Sequence, residues 1–571
     1  MQIEPILSVQ NLVTAFATRH GTFKAVDDVS LDLMPGRTLC LVGESGSGKT
    51  VLSRSILQLV DRPGRIVSGD ILLRDGSGGE AINLARLHPE GKILRDIRGG
   101  QIGTVFQEPM SSLSPVHKIG DQIAESLVIH EGVDRRTARA RVIEMLKQVE
   151  IPRPERAYDQ YTFEFSGGMR QRAMIAMALI CRPKIVIADE PTTALDVTIQ
   201  AEILDLLNSL KQSHGMSILF ITHDMGVVAE IADDVAVMRY GKLVEAGPVA
   251  QVFGSPQHPY TQKLLAAAQA TQLPSDRRLA LRAARPVGEP ILAANALRKE
   301  YVLSAGLFGR AREVLVAVDD AQLQLREGET LGVVGESGSG KTTLARCLQR
   351  IHSVSSGEIL FSDRSGAAQD VSRFSDRQLH DYWRDVRMVF QDPFASLNPR
   401  MTVAQIIGES LLMFGEHNSR KRHDRIAELL ELVGLPASAM ERFPHAFSGG
   451  QRQRIGIARA LAPNPRIVIA DEATSSLDVS IRMQIMDLLL DLQEKLNLSY
   501  VFISHDVGLV RFFCDRVLVM YKGRIVEAGE TEAVCTTPQH AYTRALLSAV
   551  PITHPSERGT RQRSRYHEAA G

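Results

Sequence analysis

Lys49 and Lys341 each sit at the seventh position of the same eight-residue run. The first copy is Gly43, Glu44, Ser45, Gly46, Ser47, Gly48, Lys49 and Thr50; the second is Gly335, Glu336, Ser337, Gly338, Ser339, Gly340, Lys341 and Thr342. Glycines in this pattern let the backbone turn tightly and aim successive N–H groups at phosphate oxygens, at the start of a helix. The lysine then reaches the β- and γ-phosphates of a nucleotide, and the threonine hydroxyl is a ligand for Mg²⁺. Asp189 and Asp471 each close an Ile-Val-Ile-Ala run, where a carboxylate can hold the metal through water. Glu190 and Glu472 follow directly, placed to orient or deprotonate an attacking water. One such acid pair alone would be an ordinary solvated strand end; two, each downstream of a phosphate loop, point to hydrolysis. Ser166, Gly167 and Gly168, and again Ser448, Gly449 and Gly450, open Arg-rich helical stretches and make a second anion site in each half. That site needs a ligand of its own, and a γ-phosphate held by the opposite half would supply it.

These residues repeat in register. Lys49 and Lys341 lie 292 positions apart, Gln107 and Gln391 284, and the pairs Ser166/Ser448, Asp189/Asp471 and His223/His505 each 282. The chain is therefore two copies of one unit, with ten extra residues in the first copy before Ser166. Each copy opens on an apolar strand, residues 38–42 and 330–334, that runs into the phosphate loop, and a helical pattern follows over 51–60 and 343–351. Further strands are expected over 185–189, 217–222, 467–471 and 499–504. They are continuous apolar runs rather than alternating ones, as in central strands of a parallel sheet covered on both faces. The fold class is α/β, a P-loop nucleotide-binding core in each half. Residues 119–149 and 403–433 have helical period and predict a separate helical subdomain in each half. The division expected is a first domain over 1–268, a linker over 269–289, a second domain over 290–553, and a polar, disordered tail over 554–571.

Bulk properties exclude other classes. At 571 residues the chain exceeds a single core, and its 44% hydrophobic and 23% charged content is that of a globular protein. Formal net charge is zero, so no global pull toward nucleic acid or anionic lipid is expected. The longest apolar run, residues 173–181, is about half of the roughly 18 residues a membrane helix needs. Residues 1–12 carry no secretory pattern, which implies residence inside a cell. The five cysteines, widely spaced and without a CxxC, argue against zinc or iron–sulfur ligation, and Cys40 is expected in a buried strand as a small apolar residue.

The order GESGSGKT, Gln107, FSGGM, IVIADEPTTALD, ITHD, then GESGSGKT, Gln391, FSGGQ, IVIADEATSSLD, ISHD, resembles the ATP-binding cassette (ABC) ATPases over nearly the whole chain. FQEPMSSLSP (106–115), FQDPFASLNP (390–399), HPYTQKLLAA (258–267) and HAYTRALLSAVP (540–551) are similar to the ATPase subunits of oligopeptide, dipeptide and nickel importers, here in fused form. The resemblance implies two tandem ABC nucleotide-binding domains that meet head to tail. Lys49, Asp189, Glu190 and His223 would then face Ser448, Gly449 and Gly450, while Lys341, Asp471, Glu472 and His505 would face Ser166, Gly167 and Gly168. By the same resemblance His223 and His505 contact the γ-phosphate, and Gln107 and Gln391 join the Mg²⁺ site to the helical subdomains. Phe16 and Tyr301 stack on adenine, and Asp196 and Asp478 signal between halves. Both catalytic glutamates are present, so two hydrolytic sites are expected, using ATP and Mg²⁺.

Two departures stand out. Met169 replaces the usual signature glutamine, and the C-terminal cysteine cluster of many relatives is missing, so no iron–sulfur centre is expected. The partners implied are two integral membrane permease subunits and a separate substrate-binding protein, with no nucleic acid. The place implied is the cytoplasmic face of a bacterial inner membrane, peripherally bound. The competing expectation is a soluble twin-cassette ATPase acting on ribosomes or DNA. It is disfavoured by the short linker and by the absence of zinc-binding cysteine insertions.

Overall fold

The computed structural model describes the chain except residues 1–3, 20, 75–79, 108–111, 194, 271–272, 275, 285–288, 305–312, 393–394, 475–476, 561 and 567–571. Parts of the segments after Gln107 and Gln391, and of the two strand-end acid motifs, thus lie outside the described residues. The chain divides into two units. The first comprises Met1–Leu195, Ile199–Ala268 and Pro551–Arg561; the second comprises Asp196–Thr198, Gln269–Val550 and Gln562–Gly571.

In the first unit a six-stranded sheet runs Lys242–Pro248, Asp234–Arg239, Thr38–Val42, Ser217–Thr222, Ile185–Asp189, Ile102–Val105, parallel except for the first edge strand. Every residue of Thr38–Val42, Ile185–Asp189 and Ser217–Thr222 is buried. This explains the unbroken apolar runs: both faces are covered, and each fully buried Val, Ile or Leu contributes about 1.5–3 kcal/mol. Cys40 pairs with Phe220 and Val235 in this sheet and has no solvent exposure. A second, antiparallel sheet of Gly21–Leu33, Leu7–Thr18, Gly64–Leu73 and Ile82–Asn83 packs its own apolar cluster. The helical subdomain is built from Ile119–Glu131 and Arg135–Gln148, the latter capped by Asp134, whose carboxylate accepts from the Arg136 and Thr137 N–H groups. The second unit repeats this plan. Its six-stranded sheet runs Val386–Val389, Ile467–Asp471, Ser499–Ile503, Thr330–Val334, Arg516–Tyr521, Arg524–Glu530, with helices Val403–Met413 and Ser419–Leu432 as its subdomain.

Two segments differ from the sequence expectation. Residues 269–289, read as a surface linker, contain the helix Asp276–Ala284, and Arg278 within it has 0% exposure. Most of this helix is exposed, as a surface segment should be; what the composition does not show is that Arg278 is buried through its charge contacts. Arg278 is ion-paired with Asp515 and donates to Gln493 Oε1 (3.0 Å), while Arg282 pairs with Asp515 at 3.1 Å. Residues 554–571, read as a disordered tail, begin with a 3₁₀ turn at Pro555–Glu557. Ile552 just before it joins the core of the first unit at 7% exposure, and His554 meets Phe253 edge-on at 6.1 Å.

Candidate nucleotide sites

Each phosphate loop leaves a fully buried strand and enters a helix, Lys49–Ile56 or Lys341–Leu348. Gly48 and Gly340 cap these helices at φ 103° and 102°, a left-handed conformation that favours glycine. A Cβ at either would lie 2.3 Å from a backbone oxygen, of Ala25 or Ala317. Lys49 Nζ donates to the carbonyls of Gly43 (2.7 Å) and Glu44 (2.9 Å); Lys341 Nζ donates to those of Gly335 (2.7 Å) and Glu336 (2.8 Å). Both ammonium groups are thus held over their loops, and burial pushes the Lys341 pKa down.

At the helix start Thr50 Oγ1 donates to Asp189 Oδ1 (3.3 Å), and Thr342 Oγ1 to Asp471 Oδ1 (3.2 Å). A hydroxyl and a carboxylate side by side are the hard oxygen donors that Mg²⁺ prefers, so the residues fit that ion. Burial raises the pKa of both aspartates, that of Asp471 to about 6. The next residue behaves differently. Glu190 and Glu472 adopt left-handed backbone (φ 47° and 46°), with their N–H groups donating to the carbonyls of Ile221 and Ile503. The left-handed turn re-aims the side chain after the strand, a strained geometry of the kind found at functional sites. His223 Nδ1 lies 3.3 Å from Glu190 Oε1, and Gln107 Nε2 (3.1 Å) and Thr193 Oγ1 (2.9 Å) donate to Oε2. In the second unit His505 Nδ1 lies 3.4 Å from Glu472 Oε2, and Gln391 Nε2 donates to the same oxygen at 2.8 Å. Burial pushes Glu190 up, but the bonds from His223 and Thr193 outweigh it and hold the carboxyl at about 2. Glu472 is shifted down likewise, burial opposing and His505 prevailing.

Ser166 and Ser448 N-cap the helices Gly167–Leu179 and Gly449–Leu461, accepting from the N–H of Met169 (3.3 Å) and Gln451 (3.4 Å). Only Gln451 returns a bond, its Oε1 accepting from Ser448 N–H (3.1 Å); Met169 has no acceptor to do so. The departure at Met169 is thus a lost half of a capping box. Phe16 is half-buried with its ring against Gly64, and Tyr301 is half-buried edge-on to His352 (6.0 Å).

One contact escaped the reading of the residues. Glu44 N–H, inside the first phosphate loop, donates to Tyr260 Oη at 2.9 Å, and Glu336 N–H donates to Tyr542 Oη at 3.0 Å. Both tyrosines are buried, and their segments are anchored by Glu245 and Glu527. Glu245 accepts from the N–H groups of Gln257 and His258, and Glu527 from those of Gln539 and His540. The signal was present in HPYTQ and HAYTR, which repeat at the same spacing of 282 as the catalytic motifs. What those segments touch was not legible there.

The ABC transporter family model matches residues 26–193 and 318–475, and the oligopeptide/dipeptide transporter C-terminal region matches 244–289 and 526–570. The chain belongs to the ABC transporter family, as an ATP-hydrolysing subunit of the oligopeptide/dipeptide class with both cassettes in one polypeptide. The chain is 47% identical over 569 residues to the glutathione import ATP-binding protein GsiA of Escherichia coli (strain K12), covering 96% of this chain and 90% of that one. It is also 47% identical over 578 residues to the protein of that name from Salmonella paratyphi A (strain ATCC 9150 / SARB42), covering 98% and 91%. Nothing here supports the ribosome or DNA alternative. Among the described residues no helix is long and apolar enough to cross a membrane.

Proposed function

We propose that this chain powers import of small peptides, glutathione among them, through two integral membrane permease subunits fed by a separate binding protein. It would work peripherally at the cytoplasmic face of a bacterial inner membrane. The observation that supports this best is that the whole hydrolytic set forms twice, intact, in a chain that also carries the peptide-transporter C-terminal region twice. The glutathione reading comes from the printed name of the relatives at 47% identity.

In the mechanism, Lys49 and Lys341 hold the β- and γ-phosphates of ATP and the glycine loops supply N–H donors. Phe16 and Tyr301 stack on adenine. Thr50, Asp189 and Gln107, and in the other half Thr342, Asp471 and Gln391, would hold Mg²⁺, which neutralises phosphate charge when bound. Ser448, Gly449 and Gly450 meet the nucleotide on the first loop, and Ser166, Gly167 and Gly168 that on the second. Closure is then favoured only when ATP bridges the halves. Glu190 and Glu472 orient the attacking water. With His223 and Gln107 bonded to it, Glu190 is ionised but a weak base. Turning His223 toward the γ-phosphate removes a donor and raises its basicity where it is needed. Hydrolysis removes the bridge, and the halves reopen.

The test is purification of the tagged chain from detergent-solubilised membranes, with mass spectrometry of what accompanies it. Two multi-span permeases are expected. Recovery with ribosomes or DNA and no membrane protein would overturn the reading.

A further inference from the structure

The helix that follows each site histidine is Met225–Ile231 in the first unit and Val507–Phe513 in the second. Asp224 caps the first helix through Gly226 N–H (2.8 Å), and Asp506 caps the second through Leu509 N–H (3.2 Å). Each histidine is therefore fixed between a strand end and a helix N-terminus. Its position depends on whether the helix stays in place at the other end.

That other end is held by arginines from outside the cassette's own sequence. In the first unit Arg558 Nε donates to the Ala229 carbonyl (2.6 Å), and its Nη2 donates to those of Ala232 (2.7 Å) and Val228 (3.4 Å). A guanidinium on the last carbonyls of a helix satisfies orphan acceptors and suits the negative end of its dipole. Ile552 N–H donates to Glu230 Oε1 (3.3 Å) on the same helix, and Pro551 lies against Gly226, where a Cβ would meet it at 2.8 Å. In the second unit the buried Arg278 stands 5.8 Å from the ring of Phe513, the last helical residue, and pairs with Asp515, joined there by Arg282. Arg558 follows the second cassette in sequence, and Arg278 follows the first. Pro274-Ser275-Asp276-Arg277 and Pro555-Ser556-Glu557-Arg558 mark both segments as the same repeated tail, in which Arg558 matches Arg277 and Arg278 stands one position further on.

A compensating difference beside Asp515 points to the same role for Arg278. Asp233 and Asp515 occupy equivalent places, each accepting at 2.7 Å from the N–H of the first residue of the phosphate-loop strand, Thr38 or Thr330. Asp233 has Lys211 at 3.2 Å, which also donates to Thr38 Oγ1. The position equivalent to Lys211 is Gln493, which donates to Thr330 Oγ1 (2.9 Å) but carries no charge. Its Oε1 instead accepts from Arg278. The cation that Lys211 supplies in the first unit is thus supplied in the second by the tail of the first half.

We propose that Arg278 and Arg558 are positioning residues for His505 and His223, each steadied by the tail that follows the other half in sequence. The inference rests on the reading of those histidines as γ-phosphate contacts. The experiment uses the full-length chain, ATP turnover, and deuterium exchange at residues 225–233 and 507–515. Arg278→Ala should lower kcat about three- to tenfold with KM for ATP within about twofold. It should speed exchange at 510–514 about tenfold while leaving 225–233 unchanged. Arg278→Ala with Gln493→Lys, which rebuilds the lysine–aspartate pair of the first unit, should recover most of both. Arg558→Ala should give the mirror result, with exchange rising at 228–232. Arg278→Lys and Arg558→Lys are read by the same outcomes if an alanine variant does not fold. Unchanged kcat despite faster local exchange, or a rescue that restores exchange but not kcat, would overturn the proposal. His505→Ala, measured alongside, separates the two layers: normal turnover in that variant removes the histidine reading itself, whatever Arg278→Ala does.

Discussion

Glu190 and Glu472 are where burial and hydrogen bonding compete most directly. Burial pushes both carboxyl groups up, and the bonds from the histidines and their neighbours outweigh it, so both are shifted down. Replacing both with glutamine keeps the shape and removes the base. Glu190→Gln with Glu472→Gln is expected to bind ATP, stay closed and lose hydrolysis by about 10²-fold or more, measured as phosphate release beside nucleotide retention. Turnover at the native rate would take these residues out of catalysis. Tyr260 and Tyr542 act one step further back. Their hydroxyls accept from N–H groups within the phosphate loops, so Tyr260→Phe and Tyr542→Phe each leave one donor unanswered, at a cost of about 0.5–1.5 kcal/mol. ATP affinity by titration should fall roughly two- to tenfold in each, with the fold unchanged.

At the scale of elements, the two signature helices differ in how they begin. Ser448 and Gln451 form a reciprocal cap, whereas Met169 leaves Ser166 with one direction of it. Met169→Gln should therefore stabilise the start of the first signature helix by about 0.5 kcal/mol, read as slower amide exchange at Ser166. The glycines behind these caps are spaced by contact with the following helix. A Cβ on Gly450 would stand 2.4 Å from Ile481 Cγ2, and one on Gly168 2.9 Å from Ile199 Cγ2. Gly450→Ala should displace its helix more than Gly168→Ala, costing about 1–3 kcal/mol and most of the ATPase rate. Equal activity of the two variants would show that Ile481 yields as easily as Ile199. The continuous apolar strands were readable beforehand because they are short and rich in β-branched residues, and because each lies at a fixed place relative to a phosphate loop or an acid motif. The place of the helix Asp276–Ala284 was not, because its one buried residue, Arg278, is held by an ion pair with Asp515 and a hydrogen bond to Gln493, and arginine-rich sequence reads as surface.

For the whole molecule, formal net charge is zero, and the proposed attachment to the membrane is through the permease subunits. Expressed without its permeases, the chain should stay in the supernatant after centrifugation; co-expressed with them it should sediment with membranes. Sedimentation without permeases would require a lipid contact of its own. Residue order by itself determined the class of chemistry to expect, because a phosphate loop, a strand-end acid pair and a serine-capped Gly-Gly helix start are local patterns, and their recurrence at fixed spacing exposed the duplication. Tertiary structure alone decided which tail completes which unit, that Tyr260 braces Glu44, and that Arg278 stands in for a lysine absent at Gln493. Those contacts join residues about two hundred or more positions apart. Their partners are chosen by geometry and charge in three dimensions, which no local periodicity records.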